Sequence, residues 1–221
     1  IAGILAGLPW GNAILHGLWI FMSGWSTGGF APMSQNILYY HSMIYELATV
    51  VFFTIGSFNF ALHYAVLSGN KKEMRKNIEI VSFTVTLTLL SLIAAFALMH
   101  DHVYPNMAAL FRKGFYQLIS GHTTTGFMSL YARQIYHDWG DLAIYAMILA
   151  MLFGGSACST AGGFKGLRIG IIFNTIRAEI RQYTIPQSRV ITTKIHHIRD
   201  IVLTDSMIRS AFSIVVLYLI T

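Results

Sequence analysis

The chain is predicted to be an all-α membrane protein in which helix–pore-hairpin–helix units repeat and one helix is broken by a glycine-rich intramembrane loop. Three observations carry this. Of 221 residues, 55% are hydrophobic and only 11% are charged, with mean hydropathy +0.58; a soluble domain carries about 25% charge. Two polar, glycine-bearing threads, Ser26-Thr27-Gly28-Gly29-Phe30 and His122-Thr123-Thr124-Thr125-Gly126-Phe127, interrupt apolar stretches. Irregular backbone at membrane depth is tolerated only where protein buries it or where it lines a watery cavity. The threads also repeat, because Gly29 and Gly126 lie 97 residues apart (126 − 29). Duplication of a unit of that size is a mark of transport folds.

Each element follows from the chain in order. Residues 1–8 are small and apolar and read as the end of an upstream span. Pro9 breaks the backbone. Asn12 to Gly24 is apolar, with Trp19 and Phe21, but too short to span a bilayer, which takes about 20 residues. It hands over to the first thread as a re-entrant hairpin. Ser42 to Leu67 reads as a full span. Ser68-Gly69-Asn70 ends it, and Lys71, Lys72, Arg75 and Lys76 follow, a basic cluster expected on the cytoplasmic side. Asn77 to Met99 is the return span, and His100-Asp101-His102 marks the outer surface. Pro105 opens a second short segment, Asn106 to Ser120, as proline can at the first turn of a helix. That segment enters the second thread.

Trp139 is placed as an interfacial aromatic anchor. Leu142 to Ile176, as one helix, would measure roughly 52 Å at 1.5 Å per residue, against a hydrocarbon core of roughly 30 Å. The run from Gly154 to Gly166 therefore predicts a broken helix. Arg177 to Arg209 is polar and basic and reads as cytoplasmic, and a last span begins near Ser206. Twelve of the fifteen Lys and Arg residues fall on the inner side or in the glycine break; Arg112, Lys113 and Arg133 fall outside. The basic excess thus reports orientation, and nucleic acid is not the expected partner; membrane lipid is. A first residue Ile1, no signal-peptide pattern and a final apolar run of ten residues, Ala211 to Ile220, suggest an internal piece of a longer protein. A single cysteine, Cys158, excludes an internal disulfide.

The threads suit a cation. An ion entering a pore loses water, and inward-pointing backbone carbonyls replace it; glycine permits the angles that aim them. The helix before each thread directs its negative C-terminal end toward the membrane centre. Gly29 and Gly126 are the expected central carbonyls for K⁺, flanked by Thr27, Gly28, Thr124 and Thr125, with Phe30 and Phe127 packed behind.

These threads resemble the single-glycine filter loops of the Trk/Ktr/HKT potassium transporter superfamily. The break Gly154-Gly155-Ser156-Ala157-Cys158-Ser159-Thr160-Ala161-Gly162-Gly163-Phe164-Lys165 resembles the intramembrane gate loop in the third repeat of the TrkH/KtrB-type membrane subunit. The resemblance covers nearly the whole chain. It implies that residues 1–76 hold the second-repeat pore hairpin and the helix after it, 77–205 the third repeat, and 206–221 the start of the fourth. It implies a pseudo-fourfold ion pore, a multi-pass protein of the cell inner membrane, a homodimer, and a cytosolic nucleotide-binding RCK partner (TrkA/KtrA-like). K⁺ is the transported ion. Gly154, Gly155, Ser159, Thr160, Gly162, Gly163 and Lys165 would form the gate. Neither thread has the longer T-V-G-Y-G run of tetrameric channels, so selectivity is expected to be looser and to let some sodium pass.

Plainer readings compete. Each thread could be a tight turn, but two matching threads after short helices favour a filter. The glycine break could be a packing kink; its length, with Lys165 and Arg168 in or beside it, favours a gate, although both side chains could instead snorkel to the inner surface. Glu46, Asn59 and His63 are expected to make interhelical hydrogen bonds, and Glu79 to sit at the inner interface. His196-His197 reads as a solvated segment rather than a metal site, with no acidic or Cys partner spaced nearby, and His100–His102 as a polar loop. Gly162–Gly166 lacks the Gly-Lys-Ser/Thr and preceding strand of a phosphate loop, and no nucleophile–base pair is spaced for catalysis, so the chain does not read as an enzyme. The alternative to transport is a non-conducting structural subunit that scaffolds a partner.

Overall fold

The computed structural model describes residues 2–184 and 193–220. Ile1, Arg189 of the basic inner segment and Thr221 lie outside the described residues. The chain runs α1 (Ala2–Leu5), α2 (Trp10–Trp25), a 3₁₀ turn (Asn36–Tyr40), α3 (Met43–Gly56), α4 (Phe60–Leu67), α5 (Glu73–Lys76) and α6 (Ile78–His100). It continues through α7 (Met107–Ala109), a π turn (Leu110–Phe115), α8 (Tyr116–His122), α9 (Ala132–Asp138), α10 (Asp141–Leu152), α11 (Gly166–Gln182), strands β1 (Lys194–His197) and β2 (Arg199–Val202), and α12 (Asp205–Ile220).

Among the described residues, α6 alone is long and apolar enough to cross a membrane unbroken. It packs against α10 and α11. Buried Ala94 and Ala97 on α6 and Ala143, Ala146 and Ala150 on α10 line clusters there, and such small residues let helices approach closely. Leu118 of α8 completes the contact. Beside it, α2 packs on α3 around Ile20, Tyr45, Phe53 and Phe127. Between Leu142 and Ile176, α10 stops at Leu152 and α11 starts at Gly166.

Three expectations are corrected. Ser42 to Leu67 is not one straight span, since α3 and α4 meet at 99°. Hydropathy could not reveal the bend because the apolar content is continuous. Its cause is polar: Asn59 Oδ1 accepts the Ala61 N–H and starts α4, while Ser57 closes α3. Trp139 is not an interfacial anchor, because its ring is 4% exposed among Leu98, Leu110 and Ala143 and its Nε1 donates to the Tyr104 hydroxyl at 3.1 Å.

His196-His197 is not a solvated segment either. The residues lie on an antiparallel hairpin, with Lys194 opposite Val202, and Ile195 is buried against Ile171 and Ala211. Glu73 and Glu79 lie far away in sequence, so spacing could not expose them, whereas Asp200 lies only four residues after His196, across the hairpin. His196 Nε2 is 3.0 Å from Glu73 Oε2 and its Nδ1 is 2.6 Å from Asp200 Oδ1. His197 Nε2 lies 3.2 Å from Glu79 Oε2 without an aligned hydrogen bond.

Candidate functional site

Both threads start as helix caps of one kind. At the end of α2, Thr27 N–H donates to Gly24 O at 3.0 Å and Gly28 N–H to Ser23 O at 2.7 Å. At the end of α8, Thr124 N–H donates to Gly121 O at 2.8 Å and Thr125 N–H to Ser120 O at 2.9 Å. This is the Schellman pattern, whose left-handed residue is usually glycine. Here that residue is threonine, with φ +49° at Thr27 and +54° at Thr124, at a cost of about 1–2 kcal/mol each. Two residues on, φ is positive again, +70° at Gly29 and +83° at Gly126. The residues between them, Gly28 and Thr125, are not left-handed.

The caps determine where carbonyls point. In a planar trans peptide the C=O opposes the N–H, so with Gly28 and Thr125 N–H turned back onto their helices, the Thr27 and Thr124 carbonyls face away from the helix ends. The threads also touch each other. A Cβ at Gly29 would overlap the Thr125 carbonyl oxygen, whereas one at Gly126 would meet open space. Gly29 is therefore restricted twice, by φ and by contact, and Gly126 by φ alone.

The expected bracing holds for one phenylalanine. Phe127 is 1% exposed and lies over Gly24 and near Phe53, their rings 6.3 Å apart. Phe30 is 80% exposed. The residues that receive Phe127 come from the preceding unit, and among the described residues no unit precedes that of Phe30.

The glycine break folds into a loop closed at its neck. Gly154 N–H donates to Phe164 O at 2.9 Å and Phe164 N–H to Leu152 O at 2.8 Å. A Cβ at Gly154 would overlap Gly162 O. Cys158 and Gly163 are left-handed, and Ser159 Oγ donates to Ser156 O at 2.7 Å. Lys165 Nζ donates to Ala161 O, so it closes on the loop it ends rather than extending from it.

This loop reaches both threads. Thr160 Oγ1 is 3.1 Å from Thr27 Oγ1 and 3.2 Å from Trp25 O. Gly162 N–H donates to Thr124 Oγ1 at 2.6 Å. The left-handed threonines thus spend their hydroxyls on the loop, which glycine at those positions could not do. The α3–α4 bend supplies the other side. Ser57 O accepts Ser156 N–H at 2.9 Å and Gly56 O accepts Thr160 Oγ1 at 3.0 Å. Both carbonyls are available because α3 has ended.

Several contributors escaped the sequence reading. Gly56 and Ser57 carry the loop, and Gly56-Ser57-Phe58-Asn59 was a legible break signal inside an apolar run. Ser23-Gly24 and Ser120-Gly121 extend the repeat upstream, giving Ser-Gly-x-Ser/Thr-Thr-x-Gly-Phe twice. Glu79, expected at the inner interface, is 1% exposed and accepts Ala157 N–H at 2.6 Å. Gln117 accepts Ser129 N–H at 2.8 Å and holds the chain leaving the second thread. Of the expected interhelical bonds, Glu46 meets Arg112 in a two-pronged pair at 2.7 and 2.8 Å. His63 Nε2 lies 2.9 Å from Ile55 O across the bend. Asn59 caps its own helix instead.

A family model described as TrkH, a cation transport protein, matches residues 4–221. Curated relatives include the Trk system potassium uptake protein TrkG of Escherichia coli, 31% identical over 215 residues, covering 97% of this chain and 42% of the relative. TrkH of Vibrio parahaemolyticus is 29% identical over 198 residues, 88% of this chain and 39% of the relative. The crystal structure of the potassium transporter TrkH from Vibrio parahaemolyticus aligns with TM-score 0.78 at 28% identity, over 96% of this chain and 43% of that one. The chain spans about two fifths of the length of these relatives.

Proposed function

The chain belongs to the TrkH family of cation transport proteins, a family of membrane proteins, and we propose that it is part of a potassium-translocating subunit. The observation that supports this most is the shared geometry of the two threads: the same capped helix end, the same left-handed pair two residues apart, and direct packing of Gly29 on Thr125. K⁺ sheds water at carbonyls of Thr27, Gly28, Gly29, Thr124, Thr125 and Gly126, two quarters of a pseudo-fourfold filter, with some Na⁺ admitted as well. It then passes a gate made by Gly154, Gly155, Ser159, Thr160, Gly162, Gly163 and Lys165. The bonds from Thr160 and Gly162 to the threads support a loop seated against the filter. No bond-making chemistry is involved.

In this reading residues 1–76 belong to the second repeat, 77–205 to the third and 206–221 to the fourth. The whole subunit is a multi-pass homodimer of the cell inner membrane, regulated by a cytosolic nucleotide-binding RCK partner. The test is growth at low potassium of cells lacking their own uptake systems, expressing the full-length protein. Gly126→Ser, opposed by φ alone, should reduce uptake or admit sodium; Gly29→Ser, opposed also by the Thr125 carbonyl, should abolish uptake. Wild-type growth and selectivity in both variants would remove the filter role, and an unsubstituted protein that moves neither ion would favour the scaffold.

A further inference from the structure

Seven residues after Gly29 the chain folds back over both threads, and Asn36 sits between them. Its Nδ2 donates to Gly29 O at 2.9 Å. Its Oδ1 accepts Met128 N–H at 3.2 Å and the adjacent Ile37 N–H at 2.8 Å. Leu38 N–H adds a bond to Met128 O at 3.1 Å. Met128 lies two residues after Gly126, so one planar amide holds the last glycine carbonyl of the first thread and the chain leaving the second. The residue is itself left-handed, φ +56°, a conformation that Asn tolerates better than most residues. Ile37 and Tyr40 beside it are buried in the same cluster as Phe127, so the clamp is mounted on the core.

We infer that Asn36 is a positioning residue for ion selection, fixing the aim of the Gly29 carbonyl relative to the second thread; this rests on the filter reading above. A carbonyl oxygen has two lone pairs. The bond to Asn36 occupies one, holds the peptide plane after Gly29, and leaves the other for a cation. Glycine is the residue least able to hold that plane by itself. A cage of fixed oxygens resists closing around a smaller ion, which is one route by which carbonyls discriminate K⁺ from Na⁺. The short side-chain amide of Asn carries its donor and its acceptor on two different atoms of one plane, so it serves both threads at once. Among the described residues the second thread has no clamp of this kind: the position 97 residues after Asn36 is Arg133, which is exposed. Its exit is held instead by Asn36 through Met128 and by Ser120 Oγ, which donates to Phe127 O at 2.8 Å.

The test compares the full-length wild type with Asn36→Gly, Asn36→Asp and Gly126→Ser, purified and reconstituted in liposomes, reading K⁺ and Na⁺ flux and the thermal midpoint. Asn36→Gly keeps the left-handed backbone without strain and removes only the clamp. Asn36→Asp keeps the acceptor for Met128 but offers Gly29 O no donor. Both should lower the K⁺/Na⁺ flux ratio about two- to tenfold, the factor set by one neutral hydrogen bond. A lowered midpoint with an unchanged ratio would make Asn36 a structural residue only and overturn the inference. If Asn36→Gly fails to reach the membrane, Asn36→Asp decides by the same ratio. If Gly126→Ser shifts the ratio and the Asn36 variants do not, only Asn36 loses its role. If Gly126→Ser also leaves it unchanged, the filter reading falls and takes this inference with it.

Discussion

Thr124 carries two opposing requirements. Its backbone holds a left-handed angle that costs about 1–2 kcal/mol for a residue with a Cβ, and strain of this kind concentrates at functional sites. Its hydroxyl accepts the Gly162 N–H, a bond worth about 1 kcal/mol net. Thr124→Gly removes both, so the thermal midpoint should stay near that of the wild type. If the loop is the gate, the lost tether should still raise basal K⁺ flux about fivefold, the factor for about 1 kcal/mol. Flux assays in liposomes beside a thermal melt separate the two effects. A stable variant with wild-type basal flux would show that this hydroxyl does not hold the loop. That Thr27 shares both the conformation and a hydroxyl contact to the loop argues that threonine is used here for its side chain, against its backbone preference.

At the scale of elements, breaks matter more than spans. The α3–α4 bend exposes the carbonyls of Gly56 and Ser57, and the loop between α10 and α11 binds them. One broken helix thus receives another. Shortening Gly154–Gly163 should remove the obstruction and both tethers together and raise flux through the open state, measured as K⁺ efflux from loaded liposomes. Unchanged flux would return the loop to the packing-kink reading. The π turn at Leu110–Phe115 has a related use, because it lies where Arg112 meets Glu46 and ties the segment that leads into α8 to α3.

At the scale of the molecule, the hairpin joins α5, α6, α11 and α12. Ile195 enters the cluster with Ile171 and Ala211, and His196 lies between Asp200 and Glu73. Hydrogen bonds, first to Asp200 and then to Glu73, raise the His196 pKa above its ordinary 6.5. Its docking contribution is therefore complete below about pH 6.5 and is lost as pH rises through the raised value. Asp200 is lowered below 3.8 by the same bond, so its share fails only in strong acid. Hydrogen exchange of the strand amides should quicken as pH is raised through that window beyond the intrinsic base-catalysed rate, and His196→Gln should remove the excess. An identical excess in the variant would assign the change to another group.

Composition and periodicity alone determined that this is a helical membrane chain, that a polar thread occurs twice 97 residues apart, and that the helix from Leu142 to Ile176 must break. Those features are local: apolar content, a helix rise and a repeated string each show in consecutive residues. The burial of Trp139 and the pairing of His196 with Glu73 did not show, because each depends on groups far apart in sequence; the α3–α4 bend showed only as the short polar interruption Gly56-Ser57-Phe58-Asn59, which the mean hydropathy of the run hides. The same holds within the site. The glycines could be picked from the sequence, but only the fold decided that Gly29 is restricted by the Thr125 carbonyl while Gly126 is not. Only the fold seated the loop on Thr27 and Thr124, since a hydrogen bond across 133 residues (160 − 27) leaves no periodic trace in the chain.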